Sequence, residues 1–286
     1  MRLGKRKLCF FAVIAFVLLI AVFVSCTAWE NRFLETAEYT VTQENIPPSF
    51  DGFKIAHISD LHNAEFGQNN DDLVNAIKNI SPDIIVMTGD MVDSSRTNVD
   101  IAVSFVKRAS EIAPCYYVTG NHEGRLNCED IKEKFRQSGV TVLENESVVL
   151  EHNGECITLI GMDDISVYSN ADSSFYSLFT KSALLKLSDT DSYTVLLSHR
   201  PEFANEYSAC GIDLAFSGHA HGGQFRLPFI GGLYAPGQGF FPKYDSGAYN
   251  IKDTVMIVSR GLGNSKIPFR INNRPQIISV CLEGSE

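Results

Sequence analysis

Five short apolar runs in this 286-residue chain each end in side chains able to bind a metal. The endings read Asp60-Leu-His62, Gly89-Asp90, Gly120-Asn121-His122, His199 and Gly218-His219-Ala-His221. The runs themselves, Phe53 to Ser59, Ile84 to Thr88, Tyr116 to Thr119, Tyr193 to Ser198 and Leu214 to Ser217, are rich in Ile, Val, Tyr and Phe, as buried strands are. Strands lying side by side in one sheet would gather these endings at its carboxyl edge, where loops carry polar chemistry on rigid supports. Any fold for the chain has to honour that convergence.

The segments between the runs have helical spacing. Leu73, Ile77 and Ile80 recur after Asn69-Asn70 and stop at Ser81-Pro82, while Ala102, Phe105, Val106 and Ala109 recur after Asn98 and stop before Pro114. The order is β-α-β-α-β, which favours parallel pairing through right-handed crossovers. A helix is expected from Asn127 to Gly139, marked by Ile131 and Phe135. Strand-like sequence follows from Val140 to Met162, with a hairpin turn at Asn153-Gly154. Two more helices, around Phe175 to Leu187 and Pro201 to Ala209, flank the fourth run, and β runs close the chain at 247–251, 255–259 and 277–282. Two packed sheets with helices outside accommodate them all.

Ahead of this lies an apolar stretch from Leu8 to Ala28, preceded by Arg2, Lys5, Arg6 and Lys7 and followed by Trp29. Its length suits a membrane-spanning helix better than the shorter core of a cleavable signal, and the basic flank places its start in the cytoplasm. The chain therefore divides into an anchor or signal at 1–29, a stem at 30–52 punctuated by Pro47-Pro48 and Asp51-Gly52, and one catalytic domain at 53–286. The formal net charge is −10, and since the four bases of the first segment meet no acid there, the remainder carries −14. Such a domain is a poor nucleic-acid binder. Seven scattered cysteines with no C-x-x-C pair argue against a thiolate metal site.

Taken singly, a Gly-Asp or Gly-Asn-His after a strand is an ordinary turn. Jointly, five of the seven histidines sit at or just beyond strand ends beside two aspartates and an asparagine, which is the pattern of a metal or catalytic centre. Imidazole, carboxylate and amide oxygen without thiolate suit manganese, iron or zinc. The number of donors suits two ions. In extended backbone Asp60 and His62 would point the same way, as would His219 and His221. Asp90, the only other acid directly ending a run, is the natural bridge between the ions. His57 and His152 fall outside the pattern and are read as structural or surface residues.

The order D-x-H, G-D, G-N-H-E, H, G-H-x-H resembles the calcineurin-like metallophosphoesterases across about residues 53–282. Gly218 to Gln224, Arg226-Leu-Pro228 and Ser259-Arg-Gly-Leu-Gly263 are similar to the membrane-associated bacterial branch that includes a Bacillus cell-wall phosphoesterase. The resemblance implies a four-layer α-β-β-α sandwich in which Asp60, His62, Asp90 and His221 hold one divalent transition-metal ion and Asp90, Asn121, His199 and His219 a second. It further implies that His122 is not a ligand and stands near the leaving group. Glu123 departs from the aspartate often found there.

The expected chemistry is hydrolysis of a phosphate ester or pyrophosphate, with a hydroxide bridging the two metals as nucleophile and His122 protonating the leaving oxygen. The implied place is a bacterial membrane, with the domain extracytoplasmic and in reach of the cell wall. A UDP-2,3-diacylglucosamine-type pyrophosphatase is a narrower alternative, which an outward-facing domain disfavours; a metal-stabilised binding module without turnover is another. Neither the substrate nor the oligomeric state is legible. From Arg226 to Arg274 seven bases face two acids, a local +5. Arg226 and Arg260 are accordingly expected at the rim of the site, drawing in an anionic substrate.

Overall fold

The computed structural model describes residues 2–168, 173–188, 192–265 and 267–285. An N-terminal helix, α1 (Arg2–Glu30), precedes a first strand, β1 (Glu35–Gln43). The β-α-β-α-β unit then forms as β2 (Lys54–Ile58), α2 (Asp71–Ile80), β3 (Ile84–Thr88), α3 (Val99–Ser110) and β4 (Cys115–Val118). Next come α4 (Cys128–Gln137), β5 (Val140–Val142), β6 (Glu146–His152) and β7 (Glu155–Met162). The chain continues through α5 (Ser173–Leu187), β8 (Thr194–Ser198), α6 (Ala204–Ala209) and β9 (Leu214–Ser217). Four two-residue strands follow, β10 (Arg226–Leu227), β11 (Gly231–Gly232), β12 (Tyr234–Ala235) and β13 (Gly239–Phe240), and then β14 (Gly247–Ile251), β15 (Thr254–Val258) and β16 (Gln276–Gly284).

Two six-stranded sheets result, ordered β1-β16-β2-β3-β4-β5 and β14-β15-β9-β8-β7-β6. Their inner faces meet through Ile55, Val86 and Ile278 from one sheet and Leu159, Val195, Leu197 and Phe216 from the other. The outer face of the first sheet is covered by α2, α3 and α4 through Leu73, Ile77, Phe105, Ile131 and Phe135. Leu184, Phe203 and Tyr207 cover the second. This is the expected four-layer sandwich. Helix ends follow local chemistry: Ser81 takes a left-handed conformation after α2 just where Pro82 prevents continuation. The hairpin between β6 and β7 turns at Asn153 and Gly154, both at positive φ.

Two expectations change. The five ligand-bearing runs do not share one sheet: β2, β3 and β4 belong to the first, β8 and β9 to the second, and the carboxyl ends of both sets meet across the sandwich. Within 30–52, the segment expected as a stem, lies β1, which pairs in parallel with β16 from Glu35↔Gln276 to Gln43↔Gly284. The alternation of half-buried and exposed residues along it is that of an edge strand.

Candidate metal centre

The seven expected ligands come together. Asp60, His62 and His221 form one buried group and Asp90, His199 and His219 a second, each with donor atoms within 4.8 Å of one another. The groups touch at Asp90, whose Oδ2 lies 3.6 Å from His62 Nε2 and 3.4 Å from His199 Nε2. His62 Nε2 and His221 Nε2 stand 3.2 Å apart, and His199 Nε2 and His219 Nδ1 3.1 Å. The side-chain amide of Asn121 lies 3.3 Å from His199 Nε2. Asp60/His62 and His219/His221 are not in extended backbone, contrary to the expectation for them. Those four residues and Asp90 all have φ between +46° and +64°, a region non-glycine residues avoid at a cost of roughly 1–3 kcal/mol each. Strain on that scale persists only where the surroundings over-determine the geometry.

The surroundings do so through the backbone. Asp60 accepts from the His219 amide, and Asp90 Oδ1 from the His122 amide at 2.7 Å. His199 Nδ1 lies 2.7 Å from the Thr88 carbonyl, to which it donates, so Nε2 faces the centre. Glu123, fully buried, accepts from the amides of Asp90, Val92 and Gly120 and so ties the β3 loop to the β4 loop. A Cβ on Gly218 would collide with Ser59 Oγ and Asp60 Oδ2, which explains glycine before His219. Arg270, also fully buried, donates to the carbonyls of Arg260 and Gly263, holding the Ser259–Gly263 loop against Asp60.

Electrostatics fit cations. Burial drives His62 and His221 down to about 3, and burial together with His199 drives His219 well below its usual value. All three present neutral rings. Burial opposes charge on His199 too, yet the Asp90 carboxylate beside it, with Asp60 and Asp164, pushes it up to about 10. With protons alone, positive charge thus has to sit on His199, where a metal ion would otherwise supply it. Ring nitrogens, carboxylates and an amide oxygen turned on one another in a buried pocket are the donor set for divalent transition metals, and no thiolate is among them.

His122 stands beside the centre, its ring 4.5 Å from that of His62. Its Nδ1 accepts from the Ser94 amide at 3.0 Å, and Nε2 lies 3.2 Å from Ser265 Oγ. Both open onto a cavity of about 210 Å³ lined by Asp90, Asn121, His219, His221, Gln224 and Arg125, with Tyr234, Pro236 and Ile267 on its apolar side. Arg226 and Arg260 are not among the lining residues. Arg226 donates to Asp245 at 2.9 Å and to the Gly222 carbonyl, and Arg260 pairs with Glu35 at 3.2 Å, so the rim role expected of them does not match their places. Lys266 of the same basic run lies outside the described residues. The guanidinium that does reach the cavity, Arg125, carried no sequence signal beyond following G-N-H-E. His57 is buried in β2 against Thr88 Oγ1, and His152 packs on Phe50 and Phe53.

Such donors at facing strand ends suit the hydrolysis of phosphoric esters. The chain belongs to the calcineurin-like phosphoesterases, whose family model matches residues 53–223. It is 30% identical over 262 residues to the uncharacterized metallophosphoesterase YkuE of Bacillus subtilis, covering 90% of this chain and 88% of that one. It is 27% identical over 238 residues to phosphodiesterase YaeI of Escherichia coli, covering 80% and 82%. A bovine transmembrane protein with a metallophosphoesterase domain is 30% identical over 260 residues, 86% of this chain and 56% of that one.

Proposed function

We propose that the chain is a membrane-anchored, dinuclear metal-dependent phosphoesterase. One ion would be held by Asp60, His62, Asp90 and His221, the other by Asp90, Asn121, His199 and His219. The observation that carries this reading is the place of Asp90 Oδ2, between the two donor groups and within 3.6 Å of both. Two divalent ions so bound supply an activated water and neutralise charge on the phosphoryl oxygens. The protein's own part is to hold the ester and manage the leaving group. Arg125 meets the phosphate at the cavity wall. Burial keeps the His122 ring below its usual pKa, so it is neutral and offers Nε2–H to the cavity. Placed so, His122 would donate its Nε2–H to the departing oxygen as charge develops there.

The helix α1, with mean hydropathy 3.0 over its membrane-length part and exposed along it, supports anchoring. The bases before it support an extracytoplasmic domain at a bacterial membrane. The reading is tested by metal analysis together with turnover of p-nitrophenyl phosphate and its diester, with manganese and after chelation. About two ions per chain and hydrolysis lost on chelation and restored by metal are expected. Stoichiometric metal without turnover on any ester would turn the reading to a metal-stabilised binding module.

A further inference from the structure

The base of α1 is docked on the catalytic domain, and it is docked beside the cavity. Pro268 and Phe269 share a groove with Phe23, Val24, Thr27 and Ala28. The Asn272 amide donates to Glu30, Asn264 Nδ2 to Asn31, and the Arg274 guanidinium lies 4.7 Å over the Trp29 ring. Three residues before Pro268, the same loop lines the cavity with Ser265, and Ile267 lines it directly before Pro268. Trp29 is where an interfacial aromatic would sit. Phe23 lies six residues deeper, roughly 9 Å along the helix at 1.5 Å per residue. If α1 enters a bilayer at Trp29, Phe269 enters with it.

A second apolar surface adjoins this one. From the turn after β10 to just past β13 the chain exposes Phe229 completely, with Phe240 at 71%, Ile230 at 62% and Phe241 at 61%. Its root is joined to the helix base, since Asn272 Nδ2 donates to the Arg226 carbonyl while its amide holds Glu30. Its other side is the cavity wall, Tyr234 and Pro236. Four large apolar side chains left bare within one short segment are unusual on a domain that works in water. Arg274, over the Trp29 ring, and Lys243, over the Tyr244 ring, would meet anionic headgroups.

We propose that the Leu227–Phe241 prong, with Pro268 and Phe269, seats the domain on the bilayer that α1 enters, so that the metal cavity opens at the level of the lipid headgroups. The proposal rests on the membrane-spanning reading of α1. Its substrate class is then a phosphate ester carried by an amphiphile resident in the leaflet, reached without leaving the membrane.

The test uses the full chain in vesicles of phosphatidylcholine and phosphatidylglycerol brominated near the top of the acyl chain. Wild type reports on Trp29, the only tryptophan. In a Trp29→Phe background, Phe229→Trp and, separately, Phe241→Trp report on the prong. Quenching of both new tryptophans to the extent seen for Trp29 is expected. Trp29 quenched with both prong positions unquenched overturns the docking while leaving the anchor intact; no quenching at any position overturns the anchor and the docking with it. A Phe229→Ser, Phe241→Ser variant should hydrolyse hexadecyl p-nitrophenyl phosphate dissolved in vesicles about tenfold more slowly or worse, two lost apolar anchors being worth more than one factor of ten. Its turnover of soluble p-nitrophenyl phosphate should be unchanged. Equal losses on both esters, no loss on either, or a dimer dispersed by the same variant would each overturn the proposal, the last in favour of self-association.

Discussion

Asp90 is the residue on which most converges, and its replacement should be correspondingly damaging. Asp90→Asn is expected to lower metal content by at least one ion and to abolish most hydrolysis, as read by elemental analysis and initial rates. Near-normal values of both would remove the bridging assignment. His122→Ala should keep its metal while the rate falls by ~10²–10⁴, the usual range for a general acid; metal loss would make His122 a ligand instead. Arg125→Gln should raise KM for a soluble ester, whereas neutralising Arg226 and Arg260, which already have acidic partners, should leave KM within twofold on the scale of exposed ion pairs. The reverse result would return the rim role to the latter pair. That the seven candidate ligands gather in one place was legible because metal coordination restricts residue type and strand ends restrict position. Glu123 and Arg270 were not, since their task is to satisfy backbone groups of loops that meet only after folding. Arg226 and Arg260 misled because a charge count says nothing of partners, and Glu35 lies 225 residues from Arg260.

Elements were easier to read than their arrangement. Helices α2, α3 and α4 follow apolar spacing that burial then honours, and the parallel order of β2, β3 and β4 follows from the β-α-β alternation. That β8 and β9 belong to a second sheet was not legible, because a short buried strand reads the same in either sheet. Nor was the link that closes the two sheet edges over the centre. After β7, Asp163 accepts from Thr119 Oγ1 at 2.7 Å and pairs with Lys132 Nζ at 2.9 Å, while Asp164 binds Arg200, the neighbour of His199, at 2.6 Å. Lys132 is 1% exposed, on α4, and also meets Glu144 at 2.8 Å. Lys132→Met should therefore cost about 3–5 kcal/mol, the usual effect of stranding a buried carboxylate, measured by denaturant unfolding of the full chain in detergent. A change under 1 kcal/mol would show that this cluster ties nothing together. β1 does carry a signal, since Glu35-Thr-Ala-Glu-Tyr-Thr-Val-Thr-Gln43 alternates with period two and is rich in β-formers, while the two prolines just beyond it read as a connection.

For the whole molecule, the proposed metal binding carries a consequence for stability. If the candidate ligands, five of them held at positive φ, bind cations, the folded state depends on those cations, and chelation should lower Tm as well as activity. At free metal about 100 times Kd the expected loss is ~2.7 kcal/mol, or roughly 5–10 °C for a domain of this size. An unchanged Tm would place the metal outside the folding equilibrium. Topology gives a separate readout: protease added to intact cells or protoplasts should release the domain, while a protected domain would put it in the cytoplasm and revive the nucleotide-sugar alternative. The pairing of β1 with β16 bears on how such a chain is made. β16 lies between β1 and β2 in the sheet, yet 233 residues separate the end of β1 from its start. At a ribosomal pace of ~5–20 residues per second, that is about 12–47 s during which both early strands wait without their shared neighbour. On the proposed extracytoplasmic placement of the domain, the chain would be threaded while the sheet is still open, so translocation would deal with an unfolded polypeptide, and whatever shields those two bare edges in the interval would decide how much of it survives to fold.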